Sequence, residues 1–210
     1  FDKARDAADK FLNQAAQDDP QREAVEYMRG LTWFFKNDYN GAMAALRDYI
    51  SKYPAGAYIA DAKYRLSFLI LGEERQKKGK KGKPRFRNVI EASQDIIKNH
   101  FGTPSVADAY ALMGDAYKDM TGEEMQDAGL TPETHDVATT DAYVNAVKNA
   151  AGEQVAEYSL TQAAPMLKAQ SRWQDLITLY EGFRKQWPEN RQSLAAVGEI
   201  CKAIVRKSDS

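Results

Sequence analysis

Apolar residues recur at spacings of three and four along nearly the whole chain, the helical period, and this pattern is interrupted where Pro54, Gly102 and Pro104 supply turns. One arrangement occurs four times: a large apolar residue, a small or apolar one three later, another four later, and a bulky one after three more. The segments are Phe1-Ala4-Ala8-Phe11, Tyr39-Ala42-Leu46-Tyr49, Phe86-Val89-Ser93-Ile96 and Trp173-Leu176-Tyr180-Phe183, with Thr139-Tyr143-Ala146 as a weaker fifth. On a helix these offsets form one stripe, so each segment predicts an amphipathic helix with one face toward its neighbours. A second set is predicted at 24–36, 58–71, 106–119 and 153–170. Each of these places a small residue (Gly30, Ser67, Gly114, Ala164) where two helices can cross closely, followed three residues on by Trp33, Ile70, Tyr117 or Leu167. Pro165 lies inside the last of them and predicts a kink or a split.

The chain also matches itself at an offset of 47: Tyr39 falls on Phe86, Ala42 on Val89, Ala45 on Ala92, Ile50 on Ile97, and Ala60-Asp61-Ala62 on Ala107-Asp108-Ala109. A gap-free offset of this size marks a repeat architecture, here of helix pairs. Gly30-x-x-Trp33, Asn37-Asp38-Tyr39, Ala42 and Pro54 resemble the tetratricopeptide repeat, a helix-turn-helix unit of about 34 residues. Tyr53-Pro54 followed by Tyr58-Ile59-Ala60-Asp61-Ala62-x-Tyr64 is most similar to the variety found in bacterial cell-envelope proteins, such as the outer-membrane assembly lipoprotein and the coordinator of the Tol-Pal system. The resemblance implies an all-α, right-handed α-α superhelix of about four helix pairs plus flanking helices. It departs from the pattern at two stretched loops, at Ser93, where a bulky residue is usual, and at Pro165.

The expected organisation is one solenoid over 1–210, with a half-repeat or cap at 1–19, repeats at 23–56, 57–104, 105–150 and 151–188, and a C-terminal cap at 189–207. Residues 73–85 and 120–135 are insertions in the second and third repeats. Phe1 opens in the middle of a repeat, which fits either a piece of a longer protein or an independent capping helix. Terminal repeats need polar outer faces, a role expected of 191–206.

Charge changes this picture only locally. Lys and Arg total 29 against 30 Asp and Glu, so there is no global pull toward nucleic acid. Between Arg75 and Arg87, however, stand eight cations and no acid: Arg75, Lys77, Lys78, Lys80, Lys81, Lys83, Arg85 and Arg87. Gly79, Gly82 and Pro84 predict that this run is a loop, either a solvated insertion or an anion-binding arm; no aromatic residue interleaves the lysines, and the Gly-Lys-Ser/Thr ending of a phosphate loop is absent. From Asp119 to Asp141 come seven acids without Lys or Arg, which invites contact with the basic run, but the acids do not alternate as a calcium loop requires.

Catalytic and metal chemistry find little support. His100 and His135 have no second histidine, cysteine or spaced carboxylate pair beside them, and no nucleophile-elbow motif occurs. Cys201 cannot form an internal disulfide and, with Ala203, Ile204 and Val205 around it, is expected in helix packing. No apolar run approaches a membrane span. No cofactor, metal site or enzymatic activity is expected.

The remaining surface is the inner face of the first helices: Tyr27, Leu31, Phe34, Phe35, Asp61, Tyr64, Arg65, Phe68, Asp108, Asp115 and Lys118. Mixed apolar and polar side chains on such a face suit an extended segment or a partner helix. Part of the cluster, Phe34 and Phe35 above all, can instead serve to pack the preceding half-repeat. The carboxylate-gripping Lys and Asn of one tetratricopeptide subset are replaced by Tyr27, Leu31 and Leu112, which disfavours a receptor of that kind. The expected function is a non-catalytic scaffold binding a protein or peptide partner, periplasmic or envelope-associated, with a cytoplasmic location as the alternative. Polyanion or nucleic-acid binding through 75–87, and carbohydrate binding on a repeat scaffold, are the competing readings, nucleic acid being disfavoured by the balanced charge.

Overall fold

The computed structural model describes residues 1–80 and 82–208, and every regular element among them is an α-helix. The chain forms two compact units that meet in sequence at Gly82 and Lys83. The first holds α1 (Asp2–Gln14), α2 (Arg22–Phe35), α3 (Tyr39–Lys52) and α4 (Ile59–Gly79), each packed against the next. The second holds α5 (Phe86–Asn99), α6 (Ser105–Asp119), α7 (Gly122–Asp127), α8 (Pro132–Asn149), α9 (Glu153–Ala169), α10 (Trp173–Gln186) and α11 (Arg191–Ser208). In it α5, α6, α8, α9, α10 and α11 pack in chain order, and α6 also meets α9 as α8 meets α10. This is the tetratricopeptide-like, all-helical architecture that the residue pattern implies.

Four of the five predicted stripes form buried faces, whereas the one on α1 does not: Phe1 and Ala4 are exposed, Ala8 and Phe11 are half-buried, and Leu12 is the buried residue of that helix. Ala42, Leu46 and Tyr49 on α3, Phe86, Val89, Ser93 and Ile96 on α5, Thr139, Tyr143 and Ala146 on α8, and Leu176, Tyr180 and Phe183 on α10 are all buried. The 47-residue offset carries the bounds of α3 onto those of α5. The hairpin turn also recurs. Asn37 and Ser171 both adopt left-handed φ values, 60° and 55°, after α2 and α9. The next residue, Asp38 or Arg172, returns its N–H to the carbonyl of Trp33 at 3.1 Å or Leu167 at 2.9 Å. That six-to-one closure satisfies a carbonyl the helix end would leave orphaned. Asp38 then caps α3 by accepting the Gly41 N–H at 3.0 Å.

Four further expectations are corrected. The basic run is not all loop: α4 continues through Gly79, putting Arg75, Lys77 and Lys78 on a helix, while Arg87 lies on α5; Lys81 lies outside the described residues. One interior glycine costs a helix only about 1 kcal/mol, too little to stop it. The acidic insertion is also largely helical, as α7 and the start of α8. Each begins with a reciprocal cap, Thr121 with Glu124 and Thr131 with Thr134, and Pro132 occupies the first turn of α8, where its missing N–H costs nothing. Helix α9 runs through Pro165 as one element.

The fourth correction concerns the C-terminal cap. Helix α11 buries Ser193, Ala196, Ile200 and Ala203 but exposes Leu194, Val197, Ile204 and Val205, so its outer face is partly apolar; Cys201 is exposed on that side rather than packed.

Candidate functional site

In the first unit, α2 and α4 bring together most of the residues expected on the inner face. Phe34 is the hub: its ring lies 5.7 Å from Phe35, edge-on, and 6.1 Å from Phe68, while Phe68 lies 6.4 Å from Tyr64. Over this cluster sits the guanidinium of Arg65, 5.2 Å from the Phe34 ring centre and 5.9 Å from that of Phe35, within the range of cation–π attraction. Asp61, one turn earlier on α4, accepts from Arg65 Nε at 2.6 Å and fixes the head group. The spacing explains the geometry, since residues four apart on a helix share a face.

Phe1 stacks on Phe35 at 5.9 Å, so packing against the preceding helix does take part of the cluster, yet Phe35 remains 51% exposed and Phe68 45% exposed. Leu31 packs against the unit's core. Tyr27 is a correction to the expected surface. It is only 4% exposed, stacked on Tyr58 at 4.7 Å and tilted against Tyr49 at 5.4 Å, and its hydroxyl donates to Asp61. Tyr27 therefore positions Asp61, and through it Arg65, from within the core.

A groove of about 650 Å³ adjoins this cluster, lined by Asn37, Tyr39, Asn40, Met43, Phe68 and Gly72 among others. Phe68 belongs to both features. The periodicity of α4 showed its buried stripe but not that a 21-residue helix would outrun the 14-residue α3 and leave this space beside the α2–α3 turn. Tyr39, placed by the pattern on the buried stripe, instead stands at its edge, 48% exposed.

Asp108, Asp115 and Lys118 lie on α6 in the second unit, where they form a different arrangement. Asp115 accepts from the Tyr143 hydroxyl at 2.6 Å and the Tyr158 hydroxyl at 2.5 Å, tying α6 to α8 and α9. Burial, and then the Asp115 carboxylate, push the Tyr143 phenol far above its usual range. Lys118 donates to Gln162 at 3.0 Å. Asp115 thus carries a clear structural duty. The basic and acidic stretches touch at two points: Lys83 and Glu123 stand 3.9 Å apart with side chains 91% and 74% exposed, and the Arg87 N–H reaches Glu124 at 3.4 Å. Such an ion pair is worth little.

His135 contacts the Tyr117 carbonyl at 2.7 Å, a structural role at the α6–α8 junction. Among the described residues no group of three or more His, Cys, Asp or Glu is arranged to hold a metal ion, and no helix is long and apolar enough to cross a membrane.

Packed antiparallel helices with a repeated hairpin turn and a mixed aromatic and charged face define a tetratricopeptide-type scaffold, a class whose members work through interaction with other proteins. The chain belongs to the YfiO outer membrane lipoprotein family, whose model matches residues 1–130. That match takes in the whole first unit and α5 to α7 of the second, and it associates the chain with the bacterial cell envelope. No curated protein matches the chain.

Proposed function

We propose that this chain is a non-catalytic scaffold that holds a partner protein through an apolar or aromatic segment seated on the Phe34, Phe35 and Phe68 face. The observation that carries this reading is the Arg65–Phe34–Phe35–Phe68 cluster: large rings left half exposed around a guanidinium that is already oriented by Asp61. Burying a half-exposed ring is favourable, at roughly 25 cal/mol per Å² of apolar area. Aromatic residues and Arg are also the side chains on which binding energy concentrates at interfaces. Because Arg65 is already held by Asp61, little ordering cost of that side chain opposes binding. The adjoining groove gives a bound segment room to continue past Phe68.

Selection of a displayed peptide library on the wild-type protein, followed by titration of the selected peptides against a Phe35→Ala/Phe68→Ala double variant, tests this. We expect affinity to fall about 30-fold or more, as loss of a hot spot does, with the melting temperature nearly unchanged because both rings are half exposed. Peptides that bind the double variant as well as the wild type would overturn the assignment.

A further inference from the structure

The groove beside Phe68 has two walls, one formed by the start of α3 with the turn before it and the other by α4, and its floor is the buried pair Met43 and Leu69. Each wall carries one half-exposed ring, Tyr39 on α3 and Phe68 on α4. Each also carries uncharged amides, Asn37 and Asn40 on one side and Gln76 on the other. Part of this lining is set in advance: the Tyr39 hydroxyl donates to Asn37 Oδ1 at 3.2 Å, which ties the ring to the turn and leaves the Asn37 amide nitrogen as a donor.

Gly72 is the feature that packing does not explain. It stands inside α4, where a glycine costs about 1 kcal/mol relative to alanine. Its φ is not positive, and an added Cβ would meet nothing within 4 Å, so neither the backbone nor a neighbour requires the missing side chain. Phe68, Gly72 and Gln76 follow one another at four-residue intervals and share one face of the helix. Along the α4 wall the order is therefore ring, gap, amide. A tolerated surface glycine would account for Gly72 alone. It does not account for the rings and amides that border the same opening.

The chemistry of the lining selects the ligand. Asn and Gln are the side chains that carry a donor and an acceptor together without charge, and an aromatic ring offers an apolar face. A pyranose is the matching object, with C–H faces for the rings and hydroxyls around its edge that each donate and accept. Charge does not favour an ionic ligand: Asp38 and Glu73 stand against Arg75, and Asp38 is already engaged in capping α3. An apolar peptide side chain would need a deeper cleft than Met43 and Leu69 provide. The volume of about 650 Å³ lies in the range of small-ligand sites and accommodates about two or three sugar rings. The family's association with the bacterial cell envelope puts glycans within reach. We propose that this groove binds a neutral oligosaccharide, with Tyr39 and Phe68 against the sugar faces, Asn40 and Gln76 on its hydroxyls, and Gly72 leaving the space it occupies. The proposal goes beyond the scaffold reading and does not rest on it, since it needs neither Phe34, Phe35 nor Arg65; the two ligands would meet at Phe68.

NMR titration of the full chain with chitotriose, the trimer of N-acetylglucosamine, and with maltotriose, a plain glucan, tests this. We expect a dissociation constant in the millimolar range or tighter for at least one of them. Binding of chitotriose alone would identify an N-acetylated glycan as the ligand, and binding of maltotriose alone an unmodified hexose chain. Gly72→Ala should leave affinity nearly unchanged, whereas Gly72→Leu should weaken it about ten-fold or more, because its side chain fills the gap. Both variants should melt at or above the wild-type temperature, since both residues are better helix formers than glycine. Asn40→Ala/Gln76→Ala should also weaken binding about ten-fold or more through the loss of two hydrogen bonds.

Unchanged affinity in Gly72→Leu would overturn the placement of the sugar. Absence of amide shifts at 37–43 and 68–76 with either trimer up to about 20 mM would overturn the proposal outright. If neither sugar binds and the peptides selected on the aromatic face lose affinity in Gly72→Leu, the groove belongs to the protein partner instead.

Discussion

Gly30 and Gly114 occupy the same place in the repeat pattern, one in each unit, and the two units use them differently. At Gly114 an added Cβ would lie 2.8 Å from the ring of Tyr143, a contact that cannot stand. The ring has no room to retreat, because Tyr143 is fully buried and its hydroxyl is anchored on Asp115. At Gly30 the same atom would meet the Ala45 Cβ at 3.5 Å, an ordinary contact. In the second unit a large residue presses on the glycine from the facing helix; in the first, α2 and α3 already meet through Ala45 and the large ring, Trp33, lies elsewhere, with Arg5 4.5 Å above it. The lesson is that a small residue in a repeat marks a crossing, while the facing side chain decides whether the crossing is tight.

The largest test of this contrast is Gly114→Ala, which we expect to cost about 2 kcal/mol in chemical denaturation, the overpacking penalty outweighing the gain in helix propensity. A cost below about 0.5 kcal/mol would show that Tyr143 can give way. Next comes Tyr143→Phe, expected to lose about 1.5 kcal/mol at neutral pH, the worth of a hydrogen bond to a charged acceptor.

That variant also carries a pH signature. Burial and neighbouring carboxylates raise the Tyr143 and Tyr49 phenols well above the ordinary value near 10. The folded chain therefore keeps protons that the unfolded chain releases, so their contribution is complete below about pH 10 and is lost as pH rises further. Melting temperatures of the wild type should fall across that alkaline range, and Tyr143→Phe should fall less steeply; parallel curves would contradict the linkage. The smallest effect is Gly30→Ala, expected to be neutral or to stabilise by up to about 1 kcal/mol through helix propensity. A clear loss would make the two crossings alike after all.

Much of the fold was legible because a buried stripe leaves its period in the sequence. Phe86-Val89-Ser93-Ile96 reads as one face and is one, and even Ser93, the departure from the usual bulky residue, stays on it. The capping signals are equally present in the sequence: Thr121-x-x-Glu124 and Thr131-Pro132 mark the starts of α7 and α8 inside a stretch whose density of acids otherwise has the composition of an exposed loop. The end of α4 was hidden for another reason. Gly79 reads locally as a breaker, but its modest cost is outweighed by a long run of good helix formers before it.

The candidate site was legible as composition rather than as geometry. Phe34, Phe35, Tyr64, Arg65 and Phe68 follow from helical spacing alone. That Tyr27 would turn inward depended on Tyr58 and Asp61 arriving from the next helix, a contact no local pattern contains. The groove beside Phe68 depended on the difference in length between two helices, and α11 on a face whose apolar residues sit on the side away from its neighbour.

The lone sulfhydryl offers a practical handle. Cys201 is the only cysteine in the chain and stands open on α11, so a thiol-reactive dye or spin label will attach at a single known address without any mutagenesis. The same exposure lets two molecules couple through an intermolecular disulfide under air, and preparations kept without reductant should accumulate covalent pairs.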